Sequence, residues 1–339
     1  MLLQEHVSLK PFNTFGIDAQ ARYYLQIDAL QTLRDFLAQP SLTALPQLVL
    51  GGGSNVLLLN DFQGVVLHMA IDGIAKVKED QDYVWVQAGA GVNWHQLVLH
   101  CIANNYAGIE NLSLIPGTVG AAPIQNIGAY GVELQDVFES LEALEIRSGE
   151  VHTFNHAACA FGYRDSIFKR EHKGQYIILN VTLRLQKKPT FKTEYGAIRQ
   201  TLEAMGTREL SIKAISDTVI QIRQSKLPDP ARIGNAGSFF KNPVITKVQF
   251  KQLHTHYPQI PGYPQPEGQV KIPAAWLIEQ CGWKGKTNGA VGVHNQQPLV
   301  LVNYGGGTGQ GIYQLAQDIQ QSVQAQFDIK IEPEAHLIT

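Results

Sequence analysis

The residues best suited to chemistry by type and spacing are two serine–lysine pairs. Ser238-Phe-Phe-Lys241 and Ser166-Ile-Phe-Lys169 have the S-x-x-K spacing of the serine nucleophile in penicillin-binding enzymes. The companion S-D-N and K-T-G motifs are only approximated, by Ser216-Asp-Thr218 and Lys286-Thr-Asn288. Because so short a pattern recurs by chance and no export signal accompanies it, a serine hydrolase is a remote interpretation of this chain.

Three successive glycines, Gly51 to Gly53, directly follow Leu48-Val49-Leu50, which is predicted to be a buried strand. Such a run can present several backbone N–H groups to a pyrophosphate, although by itself it is more often a tight turn. The dinucleotide fingerprint G-x-G-x-x-G is not met, since Val56 stands where the third glycine is required. Gly89-Ala-Gly91 is a second near miss, because Trp94 occupies the corresponding place.

Other nucleotide and metal motifs are also incomplete. Gly285-Lys286-Thr287 resembles the end of a P-loop, but the glycine required upstream would fall on Gln280, so ATP hydrolysis is not supported. The three cysteines, Cys101, Cys159 and Cys281, lie far apart and form no C-x-x-C pair. The histidines form no H-E-x-x-H motif. We therefore predict neither a disulfide framework nor a metal site.

An uncharged stretch from Asn111 to Val132 contains glycines, prolines and small residues with no regular apolar period. Disordered linkers are usually polar or charged, so this stretch is expected to be an ordered loop that lies against something. Small side chains would let its backbone approach a flat or anionic ligand. A buried structural crossover is an equally good interpretation from composition alone.

The whole chain has the composition of an ordinary globular protein. It has 339 residues, 44% of them apolar and 17% charged, with a net charge of −2. No basic stripe favours nucleic acid as a partner, and neither a signal peptide nor an apolar run of membrane-spanning length is present. A cytoplasmic enzyme that acts away from the membrane is the prediction.

The elements that must position these residues read as an α+β fold. A hairpin is predicted from residues 141–146 and 151–154, with its turn at Ser148-Gly149, and a long strand is predicted from Tyr176 to Leu185. A helix is predicted to be capped by Asp217 and to reach Gln224. Later helices are predicted from Pro273 to Gly282, and from Ile312 to Phe327.

Five long motifs in order reveal a resemblance that covers essentially the whole chain. GGGSNVLL, PGTVGAAPIQNIGAYG, FGYRDSIFK, GNAGSFFKNP and the closing Glu332-Pro-Glu334 resemble the UDP-N-acetylenolpyruvoylglucosamine reductase (MurB) family. These FAD enzymes complete UDP-N-acetylmuramate in bacterial cell-wall synthesis. The segment at Tyr195-Gly196 and the stretch from Tyr257 to Pro266 make the chain similar to the longer, type I branch.

The resemblance implies the fold and its division into domains. We expect a two-lobed FAD-binding domain of the vanillyl-alcohol-oxidase (PCMH) type, with FAD between the lobes, and a C-terminal α+β substrate domain. The implied boundaries are residues 1–67 with 328–339 for the first lobe and 68–213 for the second, which carries the Tyr195 loop. Residues 214–327 would form the UDP-sugar domain. A monomer is expected.

The resemblance also implies the cofactor site. Residues of the glycine run and of the uncharged stretch match the positions that bind FAD in the family, and an arginine of FGYRDS joins them. The implied FAD-binding residues are Gly51, Gly52, Gly53, Ser54, Asn55, Pro116, Gly117, Thr118, Gly120, Ala121, Gln125, Gly128 and Arg164. NADPH is implied as the co-substrate that reduces FAD before the second substrate enters.

Three residues match the catalytic groups of the family. Hydride addition to an enolpyruvyl ether leaves negative charge on the carbon beside the carboxylate, and a buried guanidinium such as that of Arg164 can stabilise it. Ser238 matches the proton donor, for which placement matters more than acidity because the intermediate is a strong base. Glu334 matches a carboxyl group that shares the charge if protonated. If Arg164 does not have this catalytic role, the alternative is a structural salt bridge between Arg164 and Asp165.

Substrate contacts are implied at residues whose chemistry suits a diphosphate and a sugar. They are Tyr195, Arg223, Lys226, Asn242, Tyr263, Lys284 and Gln297. The expected substrate is UDP-N-acetylglucosamine enolpyruvate. In one departure from the family, His336 stands where an arginine is common, so any substrate contact there is expected to be weaker or pH-dependent.

Two alternatives of other kinds remain open at this point. Another flavoprotein of the same fold, such as an oxidase of alcohols or sugars, would consume oxygen with a simple sugar. A UDP-sugar-binding protein without redox activity would keep the lysines and bind no flavin. The GSFFKNP and terminal EPE motifs disfavour the oxidase.

Overall fold

The computed structural model describes residues 1–195 and 197–339; Gly196 of the Tyr195-Gly196 segment lies outside the described residues. The strands, in chain order, are β1 (Leu3–Ser8), β2 (Gln20–Ile27), β3 (Gln47–Leu50), β4 (Val56–Leu58), β5 (Phe62–Met69), β6 (Ile74–Glu79), β7 (Tyr83–Gly89), β8 (Gly128–Ala129), β9 (Val132–Glu133), β10 (Phe138–Glu145), β11 (Val151–Asn155), β12 (Tyr176–Gln186), β13 (Gly234–Ser238), β14 (Val244–Thr246), β15 (Tyr263–Gln265), β16 (Gln269–Lys271), β17 (Thr287–Asn288), β18 (Val291–Val293), β19 (Val300–Asn303) and β20 (His336–Ile338). The helices are α1 (Leu30–Leu37), α2 (Pro40–Thr43), α3 (Trp94–Ala103), α4 (His156–Cys159), α5 (Ile198–Ala204), α6 (Ile212–Lys226), α7 (Lys247–His256), α8 (Ala274–Gln280) and α9 (Gly309–Phe327).

The chain forms two compact units. Unit 1 comprises Met1–Val7, Ala21–Gly52 and Gln63–Ser225, and unit 2 comprises Ser8–Gln20, Gly53–Phe62 and Lys226–Thr339. The division into two FAD-binding lobes and a substrate domain, with the boundaries given above, stays a prediction. Within the described residues, no helix combines the length and the apolar character needed to cross a membrane.

Unit 1 is built on two sheets that share a central layer of side chains. The larger sheet has the strand order β11-β10-β12-β7-β6, and the other has the order β1-β2-β5-β3. Successive side chains of a strand point to opposite faces. In β12, Ile178 therefore packs in one hydrophobic cluster, while Ile177 and Leu179 pack in the other. The predicted hairpin is confirmed, since Leu141 of β10 pairs with Phe154 of β11.

The start of α6 differs from the prediction. Asp217 does not cap this helix; it lies within it, and its carboxylate pairs with Lys213, one turn earlier, at 2.6 Å. The helix begins at Ile212 because its buried apolar residues continue upstream at helical spacing, with Ile212 and Ile215 ahead of Val219. Packing of this apolar face outweighs the capping preference of an aspartate.

The uncharged stretch is an ordered loop, but its centre is more regular than expected. Val119–Gln125 forms a 3-10 helix around Pro123, and two-residue strands β8 and β9 follow. Proline lacks the N–H that a longer α-helix would require at this point. Buried residues such as Asn111 and Leu112 show that the stretch is packed within unit 1.

Unit 2 contains a sheet of strand order β13-β19-β18-β17, which packs against α9. The predicted apolar face of α9 is confirmed, because Ile312, Ile319 and Val323 are fully buried. The predicted helix that starts at Pro273 is also confirmed as α8, with Gly282 in the left-handed conformation (φ +72°) just beyond it. The chain ends in β20, which pairs in parallel with β4.

Candidate functional site

The N-terminus of α3 holds the start of the uncharged loop in unit 1. The backbone N–H of Trp94 donates to the carbonyl of Gly117 at 3.0 Å, and its indole Nε1 donates to the carbonyl of Leu112 at 3.0 Å. Asn93 caps the helix and forms a β-bridge with Thr118. These contacts fix both ends of the segment that leads into the predicted FAD-binding residues.

The glycine run and the uncharged loop lie against each other so closely that side chains would not fit. A Cβ atom on Gly51 would collide with Oγ1 of Thr118, and one on Gly52 would lie 3.0 Å from Cα of Gly117. A Cβ on Gly120 would lie 2.6 Å from Cβ of Ala90. Glycine is therefore required at these positions by close backbone approach.

The donor groups of this pair of loops fit a phosphate-bearing cofactor. Oγ1 of Thr118 is buried and has no hydrogen-bond partner within the described part of the chain. A buried hydroxyl normally finds a partner, so a ligand atom is the natural candidate. Gly51, Gly52 and Thr118 suit the predicted cradle for FAD, and their role stays a prediction, as does that of Pro116, Ala121 and Gln125 on the same loop.

The glycine run continues into unit 2 and there holds the C-terminal segment. Gly53 adopts a left-handed conformation (φ +59°), and Asn55 follows it. The side-chain amide of Asn55 donates to the backbone carbonyl of Glu334 at 3.2 Å. The backbone carbonyl of Asn55 accepts from the N–H of His336 at 2.9 Å. Asn55 therefore fixes the backbone on both sides of Ala335.

Ser238 and Glu334 are brought together by this segment. The N–H of Glu334 donates to the carbonyl of Phe239, the residue after Ser238, at 2.7 Å, and Phe240 forms an antiparallel bridge with Pro333. Phe239 and Phe240 are almost completely buried, so they anchor the strand that carries the serine. Two of the three predicted catalytic residues are thus neighbours in unit 2.

The end of β13 is shaped to expose Ser238. A bulge separates Asn235 from Ser238, and Gly237 within it has φ +69°. The buried side chain of Asn235 donates to the carbonyls of Pro228 and Ile233 and accepts from the N–H of Gly237. The bulge is therefore held by one side chain, and Ser238 itself is exposed.

Arg164 occupies a tight turn in unit 1. Gly162 and Asp165 form a β-bridge across the turn, and Arg164 has φ +55°, which is unusual for a residue other than glycine. The ammonium of Lys169 donates to the carbonyl of Arg164 at 3.1 Å. The Asp165 carboxylate pairs with Arg170. Backbone strain of this kind is typical of functional sites.

A second arginine of unit 1 lies close enough to Arg164 for their charges to interact. Nε of Arg223 donates to the carbonyl of Leu114 at 3.2 Å. Burial and, to a smaller extent, the positive charge of Arg164 lower the pKa of Arg223, whereas Tyr130 acts in the opposite direction. Gly128 borders the Arg164 guanidinium, since a Cβ there would lie 3.3 Å from Nη1. Two guanidinium groups whose charges interact favour an anionic ligand.

Tyr195 is attached to the uncharged loop by an asparagine that sequence reasoning gave no role. The fully buried Asn111 donates from Nδ2 to the carbonyl of Tyr130 at 3.0 Å and to that of Lys192 at 2.9 Å. The Tyr195 side chain itself is 60% exposed and lies against Gly131. Its ring is therefore accessible, while the chain leading to it is fixed.

Some of the remaining predicted substrate residues contact other groups of the chain. Oδ1 of Asn242 accepts from the N–H of Ala274 at the start of α8, at 2.9 Å, and Lys284 pairs with Glu279 at 2.8 Å. Gln297 lies in the loop between β18 and β19. Lys226 and Tyr263 are exposed, and Ser54, which was predicted to bind FAD, is half-buried.

Two histidines near these groups were missed by sequence reasoning. His95 on α3 accepts from the N–H of Leu114 at 3.1 Å. His294 is 9% exposed, its Nδ1 has no hydrogen-bond partner in the described residues, and its N–H donates to Val300, the residue paired with Ser238. No sequence pattern marks either residue, because isolated histidines in apolar surroundings are common in protein cores.

Comparison with known proteins identifies relatives over the whole chain. Residues 229–338 match the family model described as UDP-N-acetylenolpyruvoylglucosamine reductase, C-terminal domain, and residues 21–155 match the FAD binding domain. UDP-N-acetylenolpyruvoylglucosamine reductase of Amoebophilus asiaticus is 61% identical over 100% of both chains. That of Pseudomonas putida is 51% identical over 98% of both chains.

A solved structure supports the same fold. The UDP-N-acetylenolpyruvylglucosamine reductase of Thermus caldophilus superposes with a TM-score of 0.69 over 100% of both chains at 22% identity. The predicted fold class, an α+β chain with an FAD-binding domain, and FAD as the cofactor are confirmed. The chain belongs to the UDP-N-acetylenolpyruvoylglucosamine reductase family, a family of FAD-dependent oxidoreductases.

Proposed function

We propose that this chain reduces the enolpyruvyl ether of UDP-N-acetylglucosamine enolpyruvate to UDP-N-acetylmuramate, with NADPH as the co-substrate. The substrate follows from the names of the relatives that match along the full chain. The observation that carries the proposal is the 2.7 Å hydrogen bond from the N–H of Glu334 to the carbonyl of Phe239, which holds the backbone of Glu334 against the residue that follows Ser238. We also infer a cytoplasmic monomer.

The residues of unit 1 would hold the cofactor and stabilise charge. FAD, when bound, supplies the hydride that is added to the far carbon of the enolpyruvyl double bond. Gly51, Gly52 and Thr118 would contact the pyrophosphate, because their backbone and hydroxyl groups fit it. The Arg164 guanidinium would bind the substrate carboxylate and stabilise the negative charge that develops next to it.

The residues of unit 2 would complete the reduction. The hydroxyl of Ser238 would donate a proton to the carbon beside the carboxylate, and the exposed position of this side chain at the end of β13 supports that role. Glu334, in its protonated form, would share the developing charge. The Asn55 side chain supports this arrangement by holding the Glu334 backbone.

Charged and aromatic side chains would bind the UDP-sugar. Arg223 is the strongest candidate for the diphosphate, since its side chain is half-buried and its charge interacts with that of Arg164. Tyr195 would cover the sugar from its exposed position. Lys226, Tyr263, Lys284, Asn242 and Gln297 are proposed as further contacts; for Lys284 this requires release of the ion pair with Glu279.

The test is the visible absorption spectrum of the purified protein under anaerobic conditions. One equivalent of NADPH should bleach the flavin bands, and UDP-N-acetylglucosamine enolpyruvate should restore them. Recovery by oxygen but not by this substrate would instead indicate an oxidase. A protein that stays colourless after reconstitution with FAD would overturn the proposal and favour a UDP-sugar-binding protein.

A further inference from the structure

Two hydrogen bonds within unit 1 connect His95 to Arg223 through a single residue. Nδ1 of His95 accepts from the N–H of Leu114 at 3.1 Å, and the carbonyl of Leu114 accepts from Nε of Arg223 at 3.2 Å. His95 therefore contacts the residue on which the arginine rests. The two side chains are also linked electrostatically, since the positive charge of Arg223 lowers the pKa of His95.

Leu114 needs support of this kind because of its backbone conformation. It has φ +58°, in the left-handed region, where a leucine is strained. The residues around it are held from other directions: Trp94 binds the carbonyl of Leu112, and the buried hydroxyl of Ser113 bonds to Ser216. The histidine supplies the contact to the Leu114 N–H itself. This contact therefore holds the Ser113–Leu114 peptide, which is adjacent to the peptide whose carbonyl accepts from Arg223.

The electrostatic surroundings favour the form of the histidine that this contact needs. A neutral imidazole can accept at Nδ1, whereas a protonated one has donors only. Burial and the positive charge of Arg223 on α6 both lower the pKa of His95. Arg223 in turn faces Arg164 and Tyr130, so a charge on the histidine would add a further cation to this region.

We propose that His95 is a positioning residue for substrate binding: through Leu114 it orients the Arg223 guanidinium toward the diphosphate of the nucleotide sugar. This inference rests on the proposed function, because it takes Arg223 to be a diphosphate ligand. Removal of the acceptor would release the Leu114 peptide and disorder the Arg223 side chain. The effect would fall on binding of the diphosphate rather than on the folding of unit 1.

Calorimetric titration with UDP-N-acetylglucosamine tests the proposal without turnover. For His95→Leu we expect the Kd to rise about tenfold. This is the loss typical of one hydrogen bond to a charged group, here the bond from Arg223 to the diphosphate. His95→Asn keeps an acceptor at the position of Nδ1 and should stay within about threefold of the parent protein. His100→Leu, a histidine at the other end of α3, is the matched control and should leave the Kd unchanged.

The pH dependence of the affinity for the nucleotide sugar provides a second measurement. A purely structural role of His95 would not change it. Because the pKa of His95 is lowered, the acceptor is present at neutral pH and is lost as pH falls through that lowered value. Affinity of the parent protein should decline there, and His95→Asn should lack that decline. Equal Kd values for the parent and His95→Leu would overturn the inference alone. Failure of the parent to bind the nucleotide sugar would overturn the proposed function as well.

Discussion

Ser238 is exposed at the end of β13, beside the backbone of Glu334, and only the family resemblance of the GNAGSFFKNP motif distinguishes it from a turn residue in the sequence. Its placement depends on the buried phenylalanines that follow and on the Asn235 side chain that holds the bulge. An ordinary hydroxyl is a weak acid, so its value as a proton donor must come from position. That view can be tested by single substitutions.

Replacement of Ser238 by alanine should separate the two half-reactions. We expect NADPH to reduce the flavin at the normal rate, because the serine takes no part in that step. Substrate-driven reoxidation should slow by about 10²- to 10⁴-fold, the usual contribution of a positioned acid. Stopped-flow absorption measures both rates. Equal slowing of the two half-reactions would exclude Ser238 as a specific proton donor. The control is Ser322→Ala, because the hydroxyl of Ser322 donates to the carbonyl of Asp318.

Glu334→Gln should give a milder loss in the same step. Glutamine keeps the size and one donor of the protonated acid but shares negative charge less well, so a decrease of about 10- to 100-fold in kcat is expected. Steady-state kinetics with both substrates provides the measurement. Glu332→Gln changes an exposed carboxylate two residues away and should have no effect. Unchanged turnover in Glu334→Gln would remove this residue from the site.

At the scale of elements, short segments hold the site loops in place. The N-terminus of α3 binds Leu112, Leu114 and Gly117. In unit 2, β4 and β20 pair in parallel so that the chain end is fixed beside Asn55. The pairing of β4 with β20 uses backbone hydrogen bonds, which are insensitive to side-chain identity, whereas α3 also uses the side chains of Trp94 and His95. Both arrangements are sensitive to added volume between the segments that they join.

The glycine loops give a prediction at this scale. In Gly120→Val the new side chain would start 2.6 Å from Cβ of Ala90, and the backbone of Ala90 lies too close for relief by rotamer change. The loop must move, so we expect loss of bound FAD and a decrease of about 1–3 kcal/mol in the free energy of unfolding. Flavin content after gel filtration and urea denaturation measure these effects.

A substitution at a glycine without close neighbours is the matched control for Gly120→Val. Gly149 lies in the β10–β11 turn with φ +73° and open space around it. Gly149→Ala should cost about 1 kcal/mol through backbone strain and should retain FAD. If both variants kept the flavin equally, the close packing of the uncharged loop against Ala90 would not be required for the cofactor site.

At the scale of the whole molecule, cofactor binding and folding are linked. FAD that binds only the folded protein stabilises it by mass action, by about 2.7 kcal/mol at 100 times the Kd. For a chain of this size we expect the Tm to rise by several degrees on saturation with FAD. Differential scanning calorimetry of the apoprotein with and without FAD measures the shift. Ser238→Ala should show the full shift, whereas a Tm independent of FAD would contradict the proposed cofactor cradle.

The sequence by itself determined the elements and the chemistry of the chain. Helices α8 and α9 and the β10–β11 hairpin follow from local periodicity and capping, because these signals act within a few residues. The glycine run, the FGYRDS arginine and the GSFF serine were predicted from motifs. The start of α6 was wrong because tertiary packing of its apolar face outweighed a local capping signal.

Only the tertiary structure decided which distant residues meet. It joins Asn55 to Glu334, Glu334 to Phe239, and His95 to Leu114 and Arg223. Periodicity tells which face of an element is apolar, but it carries no information about which segments pair or which carbonyl a side chain reaches. Those contacts depend on strand order and on loop backbones held in left-handed conformations, and both are set by packing of the folded chain.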